Sequence, residues 1–337
     1  MTGSSDAGEQ GSVVWLLAYF RSVYRGRVEI TENGVEVVPL PDALGSETLG
    51  SDAGDGQELH LAGSRDGLHW TPLNRNRPTW PGRFVRDPFI GRGADGYFHL
   101  VATGGSSRRS CLYARSRDLI TWEERSLPLM EGFRDADGRQ VNNVWAPEWF
   151  YDAATGEYFV FWSSSFAGEG WSESVLWCSR TTDWETFTPP RRFFDPGYSV
   201  IDGTLLLHNG TYYLFHKEEE FGIHTGERRG IRLATSTTLD GPYTLFEGPL
   251  NSGQIVPTIT EGPTVLPDPT GAGGACWLML YDYPMANDYG ASRSPDLFHW
   301  TTIRPDEFAF PPHARHGSVF SVSESEWRAL IEAFSPG

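Results

Sequence analysis

Five versions of one short phrase run along this chain of 337 residues, and they constrain its fold more than any other feature. The phrase is a Ser or Thr, then Asp or Leu, then an aromatic. SRDGLHW ends at Trp70, SRDLITW at Trp122, TTDWETF at Phe187, STTLDGPY at Tyr243 and SPDLFHW at Trp300. Successive endings lie 52, 65, 56 and 57 residues apart, close to the period of a four-stranded propeller blade. From the second version onward, each phrase follows two segments rich in aromatic and β-branched residues and joined by Gly, Asn or Asp turn chemistry. TLLLHNGTYYLFHKEE turns at His208-Asn209-Gly210, and PFIGRGADGYFHLVAT turns at Asp95-Gly96. Helical spacing occurs only in SESEWRALIEAF, near the C-terminus.

The first phrase has an incomplete set of strands ahead of it, VVWLLAYF and ELHLAGS, and the last segment, RHGSVFSV, has no hairpin behind it. These remnants complete each other. The expected fold is therefore all-β, a five-bladed β-propeller. Its fifth blade takes the innermost strand from the C-terminus and the outer ones from the N-terminus, which closes the ring and removes open sheet edges. Residues 1 to 11 read as a flexible tail and residues 12 to 337 as a single domain.

With 44 acidic against 27 basic side chains the formal charge is −17. That balance repels phosphate backbones and anionic lipid, so neither nucleic acid nor membrane is an expected partner. The polar start MTGSSDAGEQGS has no basic and apolar signal pattern, and no apolar run reaches the ~18 residues of a membrane span. A cytoplasmic location is expected. Cys111, Cys178 and Cys276 are far apart and outside any C-x-x-C spacing, which supports neither a disulfide framework nor a thiolate zinc site. All three read as buried small hydrophobes.

If each blade begins with its innermost strand, the residues that open those strands converge on one axial funnel. They are Arg86-Asp87-Pro88, Trp145-Ala146-Pro147-Glu148, Ile201-Asp202-Gly203, Glu261-Gly262-Pro263 and Arg315-His316-Gly317. An Asp before Pro on its own usually caps a turn. Three carboxylates at equivalent places in three blades repel one another, an arrangement that makes sense where their separated pKa values are put to use.

In these motifs the chain resembles family 43 of the glycoside hydrolases, five-bladed propellers that include α-L-arabinofuranosidases, β-xylosidases, arabinanases and galactosidases. Asp87 in VRDPFI resembles the general base of that family's first blade. Asp202 in SVIDGT resembles the residue that orients and tunes the acid, and Glu261 in TEGPTV resembles the general acid. The resemblance implies hydrolysis with inversion, Asp87 ionised and Glu261 protonated at neutral pH, its pKa raised by burial and nearby negative charge. Trp145 resembles the family's sugar-facing tryptophan, whereas Trp149 reads as core. Glu148, Arg86, Lys217, Arg315 and His216 are candidate substrate partners. His316 resembles a histidine that in relatives reaches a central calcium or water cluster, so the resemblance makes it the candidate contact for a structural calcium, with no cofactor required.

The expected substrate is a short oligosaccharide, imported rather than polymeric. Its terminal L-arabinofuranose, or a galactofuranose, galactose or xylose, would be removed by exo action. Two other readings compete. A retaining fructan or sucrose hydrolase would need an NDPNG-type motif upstream of Asp87, which is lacking, and a non-catalytic carbohydrate-binding propeller would not need the intact carboxylate trio.

Overall fold

A computed structural model describes residues 13–22, 26–31, 34–39, 57–105, 108–168, 173–220, 229–250, 253–257, 259–274, 276–284, 286 and 288–335, with backbone alone for 26–31 and 34–39. The tail expected over residues 1 to 11 lies outside them.

In chain order the strands are β1 (Val14–Arg21), a hairpin of β2 (Gly26–Thr31) and β3 (Gly34–Pro39), β4 (His60–Ser64) and β5 (Thr71–Pro72). Blade I follows as β6 (Arg86–Arg92), β7 (Phe98–Thr103), β8 (Cys111–Ser116) and β9 (Glu123–Leu127). Blade II is β10 (Trp145–Asp152), β11 (Glu157–Ser164), β12 (Val175–Thr181) and β13 (Arg191–Phe194). Blade III is β14 (Val200–His208), β15 (Thr211–Glu218), β16 (Gly230–Ser236) and β17 (Thr244–Phe246). Blade IV is β18 (Glu261–Pro267), β19 (Trp277–Tyr283), β20 (Asp288–Ser294) and β21 (Thr301–Thr302), and β22 (Ala314–Val322) comes last.

The closing blade runs β22-β1-β4-β5, with the C-terminal strand innermost and the N-terminal strands outside it. The ring is therefore a five-bladed β-propeller closed as its two incomplete ends suggested. Strand alternation explains how the blades stack, since successive side chains point to opposite faces. On β1, Leu16 and Ala18 join a core shared with Ile90, Phe98 and Leu100 of blade I. Leu17 and Tyr19 join one shared with Leu266, Leu278 and Leu280 of blade IV. Three further apolar cores fill the gaps between blades I and II, II and III, and III and IV.

The repeated phrase lies between the third and fourth strand of every blade, and its residue types have a local cause. In the closing blade the backbone N–H groups of Asp66 and Gly67 donate to Ser64 Oγ, while those of Leu68 and His69 donate to Asp66 Oδ1 at 2.9 and 2.8 Å. The same knot recurs at Ser116 and Asp118, Thr181 and Asp183, and Ser294 and Asp296. These side chains satisfy turn amides that have no ladder partner. The phrase is thus architecture, and the chemistry lies elsewhere.

After β22 the chain forms α1 (Glu324–Phe334), where Ser323 and Glu326 make a capping box. The ring of Trp327 on this helix covers Gly63 so closely that a Cβ there would lie 2.3 Å from it. Among the described residues no helix is long and apolar enough to cross a membrane. Cys111 and Cys178 are buried, but Cys276 is exposed, because it stands in the turn just before β19 rather than on a strand.

Candidate active site

All five innermost strands carry the same defect. Between Arg86 and Phe89, Trp145 and Glu148, Ile201 and Thr204, Glu261 and Thr264, and in β22 between Arg315 and Ser318, two residues oppose one on the neighbouring strand. Such a bulge bends the strand and re-aims side chains. The residue after the opening one is left-handed in four blades: Asp87 at φ 49°, Ala146 at 42°, Asp202 at 53° and Gly262 at 57°. Asp tolerates this region better than most residues. Gly262 is required for a second reason, since a Cβ there would sit 2.6 Å from the His316 ring. The register also corrects one expectation. Glu261 is level with Arg86 and Arg315, one residue earlier than the place shared by Asp87, Asp202 and His316.

Asp87, Asp202 and Glu261 are brought together around His316. The imidazole Nδ1 lies 3.4 Å from Asp87 Oδ1 and 3.7 Å from Asp202 Oδ2. Thr103 Oγ1 donates to Asp87 Oδ2 at 2.6 Å, and Gly262 N donates to Asp202 Oδ2 at 3.2 Å. Burial alone would raise Asp87, but the charge and hydrogen bond of His316, with Arg86 and Thr103 behind them, hold it well below the usual carboxylate range. Burial would likewise lower His316, yet Asp202 and Asp87 push it up to about 10, so an imidazolium sits among the carboxylates at neutral pH.

Glu261 differs from the protonated acid that the sequence led us to expect. Burial raises it, but Lys217 and Arg315 outweigh burial and bring it down to about 2. Lys217 Nζ lies 2.8 Å from Glu261 Oε2 and Arg315 Nη2 lies 2.6 Å from Oε1, so each carboxylate oxygen faces a cation. Each cation is held in turn by another acid, Lys217 by Glu219 at 2.7 Å and Arg315 by Asp282. The carboxyl with a raised pKa is Asp202, pushed up to about 7 by burial, with Glu261 and Asp87 adding to it against His316 and Lys217. Glu261 adds to the rise of Asp202, so near neutral pH the proton of this carboxyl pair is on Asp202 rather than on Glu261.

The other candidates divide. Trp145 is half-buried where β10 begins, while Trp149 is core, edge-on to Phe89 and Tyr158. Glu148 is buried, as Asp202 is, and burial raises it to about 8, against a hydrogen bond with Thr204 and the charge of His316. Lys217 and Arg315, expected as sugar partners, spend their charge on Glu261. The Arg86 guanidinium stands 5.2 Å from the Phe20 ring centroid, with no carboxylate in ion-pair range among the described residues. His216 is buried away from the funnel chemistry, with Nε2 2.7 Å from the Tyr198 hydroxyl and its pKa lowered by burial to about 3.

A calcium liganded by His316 does not fit these donors. Its Nδ1 faces two carboxylates that keep it protonated, whereas a ligating nitrogen must be free of its proton, and calcium favours all-oxygen sites. Among the described residues no three His, Cys, Asp or Glu side chains stand so as to hold a metal.

Sequence reasoning missed Thr103, Asp282, Glu219 and Phe20. Three of them were findable, because Thr103 pairs across the ladder with Arg86, Asp282 with Glu261 and Phe20 with Arg315. Lys217 pairs in the same way with Ile201. The second strand of a blade thus brings a further site residue level with the one that opens the first, and its partner is often on another strand or blade.

Residues 47–328 match the family-43-related glycosyl hydrolases, a family described as a probable glycosyl hydrolase domain. The chain belongs to that family. An α-L-arabinofuranosidase of Bifidobacterium longum subsp. longum is 26% identical in an alignment of length 259 that covers 64% of this family-43-related chain and 24% of that protein. The chain thus spans about a quarter of that relative's length. Two solved structures share the fold. A thermostable family-43 glycoside hydrolase is 12% identical with a TM-score of 0.54, covering 93% of this chain and 99% of its own. An α-L-arabinofuranosidase from Clostridium thermocellum is also 12% identical, with a TM-score of 0.52 and coverage of 85% and 95%.

Proposed function

We propose that this protein is an exo-acting, inverting glycosidase that releases a terminal L-arabinofuranose, or a related galactofuranose, galactose or xylose, from short oligosaccharides. One observation carries the reading. A carboxylate held ionised, Asp87, and a carboxyl that holds a proton near neutral pH, Asp202, meet within 4 Å of one imidazolium, with Glu261 paired to Asp202 beside them, in a family-43-related propeller. Single displacement needs this division of labour. Water attacks the anomeric carbon and gives a proton to Asp87, the glycosidic bond breaks, and the departing oxygen takes the proton of the pair. Arg86 and Trp145, at the openings of blades I and II, are the candidates for sugar contact. The arabinofuranosidase among the relatives makes that sugar the first choice.

A panel of nitrophenyl glycosides tests the reading: α-L-arabinofuranoside, β-D-xyloside, β-D-galactoside and β-D-galactofuranoside. Turnover of one of them by the wild type, abolished in Asp87→Asn, is the expected result. A protein that binds these sugars unchanged in both forms and hydrolyses none would be a carbohydrate-binding propeller instead.

A further inference from the structure

A second cleft opens at the same end of blade I as the Asp87 bulge. Its volume is about 330 Å³, and its lining includes Arg83, Phe84, Gly104, Arg108, Glu124 and Arg125. Two links tie it to the funnel. Phe84 stands two residues before Arg86, and Gly104 directly follows Thr103, whose hydroxyl holds Asp87.

Its chemistry departs from the rest of the molecule. Three guanidiniums and one carboxylate line it, in a chain whose formal charge is −17. Arg83 is paired with Glu124 at 2.6 Å, and Arg125 reaches Glu185 at 3.2 Å with its guanidinium 5.0 Å from the Tyr113 ring centroid. The Arg125 Nε–H is buried without a hydrogen-bond partner. Arg108 is exposed, and its side chain has no carboxylate partner among the described residues. Beside these cations Phe84 is 45% exposed. A lone exposed aromatic needs no explanation. On the wall of a cleft, near the Arg108 guanidinium that no described carboxylate pairs, it offers an apolar face with fixed polar groups around it, the usual composition of a small-ligand site. Guanidinium matches the planar two-oxygen geometry of a carboxylate and also binds sulfate and phosphate oxygens.

We propose that this cleft is a binding subsite for an anionic sugar residue of the substrate, with Phe84 against the ring and Arg108 and Arg125 on its acidic group. That the ligand is a sugar rests on the glycosidase reading above, but the binding itself does not, so it is tested without turnover. Calorimetry at low salt with digalacturonate, galactobiose and a sulfated galactobiose separates the cases. Wild type is expected to bind at least one acidic disaccharide about tenfold or more tightly than galactobiose, with the preference weakening as salt screens the charges. Whichever acid binds more tightly identifies the group as carboxylate or sulfate. Arg108→Gln should remove the preference, and Phe84→Ala should weaken all three ligands, in variants whose thermal unfolding matches wild type. Equal affinity for acidic and neutral disaccharides, no binding of any, or a preference that survives Arg108→Gln would overturn the proposal. The nitrophenyl panel, which contains no acidic sugar, reports separately on the glycosidase reading.

Discussion

Asp87→Asn is expected to lower kcat on the preferred glycoside by about 10²–10⁴-fold, the usual effect of losing a positioned general base, with little change in fold stability. Asn is the informative replacement because residue 87 is left-handed, at φ 49°, a conformation that Asn adopts readily and Ala resists. The variant keeps an oxygen for the Thr103 hydroxyl and loses only the charge and the basicity. Asp87 is held ionised far below neutral pH, so no acidic limb arising from this residue should appear in the pH range where the enzyme is assayed. Steady-state kinetics with thermal melts check both statements. A variant that retains most of its turnover would remove Asp87 from the chemistry.

The second large effect concerns the proton donor and depends on the leaving group. Glu261→Gln should lower kcat/KM by about 10²–10⁴-fold on oligosaccharides and alkyl glycosides, whose leaving oxygens need a proton. A 2,4-dinitrophenyl glycoside, whose leaving group departs unaided, should lose far less. Glu261 is the member of the pair more open to the funnel, with 15% of its side chain exposed against 7% for Asp202. The pH dependence has a definite sign. The pair carries its proton below about 7 and loses it as pH rises through that value, so kcat on unactivated substrates should fall above neutrality. On the dinitrophenyl substrate the fall should vanish. Equal losses on both substrates would make Glu261 an electrostatic anchor for Lys217 and Arg315 and leave Asp202 as the donor.

The architecture was legible in the sequence because turn chemistry is local. The Ser or Thr and the Asp of four of the five repeated phrases bind amides within three residues, so the same words recur where the same turn is built. The ring closure was legible too, since the two incomplete blades could only complete each other. The site was legible in part. Reading the residues that open the innermost strands found the three carboxylates and His316, but a bulge cannot be counted from sequence, so Glu261 was set one residue out of line. The proton inventory was beyond reach for a physical reason. It depends on which cation faces which oxygen, and Lys217 and Arg315 come from strands of two other blades. Glu148 shows the same limit: its carboxyl is buried beside Thr204, and nothing in WAPEW distinguishes that from a sugar contact.

The most direct test of the account follows the first product formed. Proton NMR of the preferred glycoside, recorded within the first turnovers and before the free sugar equilibrates, shows which anomer is released. Single displacement by a water activated at Asp87 predicts the opposite anomeric configuration to that of the substrate. Release with the starting configuration would mean that a protein carboxylate attacks the sugar itself, and would contradict the assignment of Asp87 as a base.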